Sequence, residues 1–218
     1  FGQLTKLGEY FGRGALFFLD REPVNENLIH TPPFRTLANQ KPELSPRIKA
    51  LIERAAKQRD LYASLSEDLA VEPVTFAPPN IDGLSIPAAA ASTRSWLGID
   101  GVNTFERFRQ AIEDKGVLVF RSNGYAGKWQ IPKQSPILGF SIYDTQSPLI
   151  LVKKQAAEVR QTFTLMHELG HLVLHKGSFI DDIRDVYAVD GEESEANKFA
   201  GLVLVPDRVL RQIDDLGR

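Results

Sequence analysis

Phe163-Thr-Leu-Met-His-Glu-Leu-Gly-His-Leu-Val-Leu-His175 carries the spacing His-Glu-x-x-His. On a helix His167 and His171 project from one face, one turn apart, which is the geometry of a two-histidine metal clamp. Glu168, between them, has the chemistry to take a proton from a water polarised by such an ion for attack on a peptide carbonyl. Phe163, Leu165, Met166, Leu169, Leu172, Val173 and Leu174 set these polar residues in an apolar helix suited to burial, where two histidines and a glutamate need partners. Core histidines bonded to backbone are the other reading of the same residues; the spacing points to metal-assisted hydrolysis.

A catalytic zinc site takes a third protein ligand and keeps a fourth position open. Downstream, Gly191-Glu-Glu-Ser-Glu-Ala-Asn-Lys-Phe-Ala-Gly-Leu-Val-Leu-Val-Pro206 has Ala196, Phe199, Ala200, Val203 and Leu204 at helical spacing, with Pro206 at the exit. Glu193 and Asn197 lie four apart on one face, so Glu193 can bind the metal while Asn197 holds a ligating histidine from behind. Glu192 and Glu195 point elsewhere. Acidic residues at a helix start are also favoured by the helix dipole without any metal.

Together these segments resemble the ImmA/IrrE-type metallopeptidases. The likeness runs from Arg160-Gln-Thr-Phe-Thr through His175, then Glu193-Ser-Glu-Ala-Asn-Lys-Phe-Ala200 and Pro206. Upstream it takes in Lys115-Gly-Val-Leu-Val-Phe-Arg-Ser-Asn123, Gly139-Phe-Ser-Ile-Tyr-Asp144 and Leu149-Ile-Leu-Val152, roughly the C-terminal half. The resemblance implies a gluzincin-like site with zinc on His167, His171 and Glu193 and with Glu168 as general base. It also implies a protein substrate of the helix-turn-helix repressor kind, cut in mobile-element or stress responses. Manganese or iron would suit the same ligands. The competing expectation is a non-proteolytic transcriptional regulator whose metallopeptidase-like body senses a ligand or partner.

His175 lies one further turn along, and a rigid helix cannot wrap it round an ion already held by His167 and His171. It is expected at the helix C-terminus, where a cation suits the dipole and Gly177 follows, with hydrogen bonding to substrate as the alternative. The long metzincin motif is absent, because Leu174 and Gly177 stand where its Gly and last His belong. An oxyanion donor is required. Tyr187, in an expected loop from Lys176 to Asp190, is the choice for that catalytic role, with His175, Tyr143 and Arg160 as the other candidates. Trp129 is a candidate substrate-contacting edge, and Trp96 a core residue.

The remaining composition sets the context. Of 218 residues 43% are hydrophobic and 25% charged, enough for a sizeable core in one large or two small domains. The absence of cysteine removes disulfides and Cys-type zinc and fits a reducing cytoplasm. There is no apolar run of spanning length and no secretory signal pattern, so a soluble protein is expected. With 26 basic and 28 acidic residues the net charge is -2, a poor footprint for nucleic acid. The clusters Arg47 to Lys49 and Arg54 to Arg59 alternate with acids and read as a solvated face.

Phe1 opens within a helical pattern, with Leu4, Leu7 and Phe11 on one face, and residues 1–22 resemble the tail of an XRE-type helix-turn-helix domain. DNA binding is then expected only through a preceding part that holds the recognition helix. Residues 23–83 are expected to form a connector with one long helix, started by Ser45-Pro46 and burying Ile48, Leu51, Ile52, Ala55, Tyr62, Leu65 and Leu69. Residues 84–218 form the expected metallopeptidase domain. Its helices fall at Ile86 to Ile99 and Thr104 to Lys115, and its strands at Val117 to Arg121, Leu138 to Asp144 and Leu149 to Val152. The fold class is α+β, mostly helical, with a small sheet beside the metal-bearing helix; oligomeric state is left open.

Overall fold

A computed structural model describes residues 2–11, 14, 18, 19, 44–101, 104–124 and 127–206. The connector segment Pro23 to Pro42 lies outside the described residues. Helix α1 spans Gly2–Phe11, α2 Pro46–Asp68, α3 Ile86–Leu97 and α4 Phe105–Glu113. Strands β1 Leu118–Arg121, β2 Ile137–Ile142 and β3 Leu149–Val152 follow. Helix α5, Glu158–Gly170, runs into a π-helical turn at His171–His175, then strand β4 Phe179–Asp182, a 3-10 turn Asp185–Tyr187 and helix α6 Gly191–Leu204.

The sheet has the order β1-β3-β2-β4, with β1 parallel to β3 and the other neighbours antiparallel. Alternation along β3 sends Ile150 and Val152 to one face and Leu149 and Leu151 to the other. The first pair joins Leu165, Met166 and Leu169 of α5, Phe199 of α6 and Phe105 and Phe108 of α4 in one core. The second joins Phe140, Ile142 and Ile180 with Ile48, Leu51, Ile52 and Ala55 of α2. Each fully buried Leu or Ile contributes about 1.5–3 kcal/mol, so both faces of the sheet are firmly covered. The helix of the expected connector is thus one layer over this sheet.

The structure corrects three expectations. The buried side of α2 ends near Ala56, for Tyr62, Leu65 and Leu69 are 41%, 48% and 71% exposed. Their spacing is amphipathic, but the second half of the helix runs past the sheet it packs on. The segment from Lys176 to Asp190 is not simply a loop, since Phe179–Asp182 pairs with β2. With only Phe179 and Ile180 apolar before two aspartates, it lacks the period that marks a strand. Trp129, the candidate substrate edge, packs instead on the α2 side of the sheet, where its ring meets Phe120 at 5.6 Å and lies under Arg54.

Two glycines let α5 sit where it does. A Cβ on Gly139 would stand 2.8 Å from Thr164 Cγ2, 2.9 Å from the Leu151 carbonyl and 3.1 Å from Glu168 Oε1. The bare strand therefore admits the helix against β2 with Glu168 facing it. A Cβ on Gly170 would meet Phe199 at 3.0 Å, so its absence lets α6 pack close on α5.

Candidate metal centre

Helix α5 buries nearly its whole circumference after Arg160, as befits a central helix. His167, Glu168 and His171 are 1%, 0% and 0% exposed. Helix α6 enters across it with Glu193 in the first turn and Asn197 one turn on. His167 Nε2, His171 Nε2 and Glu193 Oε2 form a triangle with edges of 3.0, 3.1 and 3.4 Å. Donors at about 2.0–2.1 Å round a tetrahedral zinc ion lie roughly 3.3 Å apart, so the triangle has the size of one tetrahedral face. Among the described residues these three form the group of His and acidic side chains able to hold a metal ion.

The hydrogen bonds behind His167 fix which atom faces the triangle. Asn197 Nδ2 donates to the Asp185 carbonyl at 2.8 Å, which turns Asn197 Oδ1 toward His167 Nδ1, 3.0 Å away. An oxygen there accepts, so Nδ1 carries the proton and Nε2 presents its lone pair to the triangle. Three acceptor atoms this close are held together either by a proton on an imidazole or by a metal cation. The residues fit a divalent ion.

The electrostatics follow from burial and neighbours. Burial pushes the His171 imidazole down to about 4. Burial would raise Glu193, but hydrogen bonds with His167 and His171 prevail and hold it at about 2. For His167 burial acts downward, yet Glu193 and Asp181 outweigh it and keep the ring protonated to higher pH. His167 must shed that proton before its Nε2 binds a metal. Zinc uptake by the metal-free protein should therefore release protons, and apparent affinity should rise with pH until His167 is deprotonated. Chelator competition across about pH 5 to 8 checks this; a flat profile would contradict the assignment of His167 as ligand.

Glu168 is held well above the usual carboxylate range, first by burial, then by the charge of Asp181. Neither of its oxygens has a protein hydrogen bond of ordinary geometry, although Ser141 lies near enough to favour the charge. A nearby dication favours the ionised, proton-accepting form. Asp181, on β4 and 2% exposed, is raised to about 7, again chiefly by burial.

Of the four oxyanion candidates, Tyr187 is 80% exposed on the 3-10 turn, two residues from the carbonyl that anchors Asn197. Arg160 is exposed on the first turn of α5, and Tyr143 packs against the core. His175 is engaged elsewhere: its Nδ1 lies 2.9 Å from His171 Nδ1 and its Nε2 3.2 Å from Glu195 Oε2. It sits at the helix end as expected, but Lys176, at φ 49°, takes the left-handed position there instead of Gly177. Sequence reasoning missed Asp181, Asp185 and Phe179, whose ring stacks on His171 at 4.0 Å and 12°. The signal for Asp181 and Phe179 is the short strand β4, too brief to show a period, and Asp185 lies on the 3-10 turn after it.

A buried helix bearing His-Glu-x-x-His, closed by a glutamate from a second helix, defines the metallopeptidase class of site. Residues 112–218 match the family model described as the IrrE N-terminal-like domain, of peptidase family M78. It is 38% identical over 79 residues to an uncharacterized immunity region protein 2 of Bacillus phage phi105, covering 35% of this chain and 49% of that protein. It is 33% identical over 78 residues to the radiation response metalloprotease IrrE of Deinococcus radiodurans, covering 33% of this chain and 23% of that protein. The matched segments thus span half or less of each relative's length. Among the described residues no helix is long and apolar enough to cross a membrane.

Proposed function

We propose that this protein is a zinc-dependent endopeptidase that cleaves a protein regulator, such as a helix-turn-helix repressor, in a cytoplasmic stress or mobile-element response. The observation that carries this reading is the acceptor triangle of His167, His171 and Glu193 with a buried, unpaired Glu168 beside it. Zinc held by these three ligands would polarise a scissile carbonyl and acidify a water. Glu168 is placed to accept the proton of an attacking water and would pass it to the leaving amine. Asn197 holds the His167 ring through Nδ1, and Tyr187, on the turn that Asn197 anchors, is the proposed oxyanion donor.

The choice of regulator rests on the family resemblance, and the setting on the relatives, one named for an immunity region and one for a radiation response. Residues 1–22 are proposed to close a helix-turn-helix head, for which the helix Gly2–Phe11 has the right place. The test is incubation of the zinc-loaded chain with a panel of helix-turn-helix proteins, with new peptide termini read by mass spectrometry. Site-specific cleavage abolished by chelator supports the protease. Partner binding that persists without metal, with no bond cut, favours the non-proteolytic regulator instead.

A further inference from the structure

We infer that His175 and Glu195 form a positioning relay that sets the tautomer and aim of the metal ligand His171; this rests on the reading of His171 as a ligand. Glu195 is 52% exposed at its side chain, on the first half of α6, and its Oε2 lies 3.2 Å from His175 Nε2. A carboxylate only accepts, so His175 carries its proton on Nε2. In the neutral ring its Nδ1 is then a bare acceptor, 2.9 Å from His171 Nδ1, which must donate. The proton of His171 is thereby held on the outer nitrogen, and its Nε2 faces His167 and Glu193 with a lone pair.

The backbone is shaped for this contact. His171–His175 is a π-helical turn, and such wide single turns bring residues four apart closer to one line than an α-helix does. His175 thus reaches the back of His171 and stays off the metal face. Phe179 completes the clamp by stacking on His171, and it can fold back there because a Cβ on Gly177 would stand 2.7 Å from its ring. His167 and His171 are consequently steadied by different devices: an amide pinned to backbone for one, an imidazole pinned to a solvent-facing carboxylate for the other. The second device opens to solvent, so it can be perturbed without touching the core.

The test uses the full chain, with zinc affinity by chelator competition and imidazole tautomers by nitrogen-proton NMR. In the zinc-loaded wild type, His171 should carry hydrogen on Nδ1 and His175 on Nε2. His175→Ala should weaken zinc about 10- to 100-fold, the usual cost of losing a group behind a ligand, and His175→Gln, which keeps an acceptor, should restore part of it. Glu195→Ala, at an exposed position that leaves the fold intact, should give a smaller loss together with a mixed His175 tautomer. Unchanged affinity and unchanged His171 resonances in both the Glu195 and His175 variants would overturn the relay. A wild type that takes up no zinc would overturn the metal reading beneath it, so the two failures are distinct.

Discussion

Glu168→Gln is expected to keep about one zinc ion per chain while lowering kcat/KM for peptide cleavage by about 10²- to 10⁴-fold, the range for loss of a general base. The side chain is fully buried, faces the bare Gly139 strand and has no protein hydrogen bond of ordinary geometry on either oxygen. Glutamine matches its volume, so packing is retained and only proton acceptance is removed. The sign of the stability effect separates this from unfolding. A carboxyl whose folded pKa is raised costs the folded state stability as pH climbs from its unfolded value to its folded one, because the unfolded chain ionises there while the buried group keeps its proton. The metal-free Gln variant should therefore melt no lower than wild type at neutral pH. Cleavage at the wild-type rate by the zinc-loaded variant would remove Glu168 from the mechanism.

His167→Ala and Glu193→Ala should each reduce zinc from about one per chain to near zero in elemental analysis after purification without chelator. Each removes one corner of the triangle, and the two remaining donors close no tetrahedral face. Glu192→Ala is the informative comparison. Glu192 and Glu193 share the first turn of α6 and both suit the helix dipole, but only Glu193 meets the histidines. Retention of zinc in Glu192→Ala alongside its loss in Glu193→Ala would show that a ligand, and not a general negative field, holds the ion. Equal retention in both would refute Glu193 as a ligand.

How much of this was legible in the chain differs from residue to residue. His167 and His171 announce themselves because a metal clamp on a helix has a fixed spacing, and Glu193 with Asn197 follows the same helical arithmetic on α6. The paired strands at Val119 and Ile150 were legible from short apolar runs between turns. By contrast β4 was hidden, since Asp181 and Asp182 are nearly or fully buried where composition suggests solvent. The exposed half of α2 was misread for the converse reason: amphipathic spacing says which residues share a face, not how far the partner surface extends.

By itself, then, the sequence determined the helices, the candidate metal-ligating residue types, their spacing and the α+β class, all of which depend on local periodicity. Tertiary structure alone brought Asp181 and Phe179 to the site, since the strand that carries them is too short to show a period and its place follows from pairing with β2. It also decided that His175 turns to His171 and Glu195, because the π turn and the crossing of α6 create a contact between residues 20 apart in the chain. Spacing specifies which groups can meet along one element; the packing of elements settles which of them do.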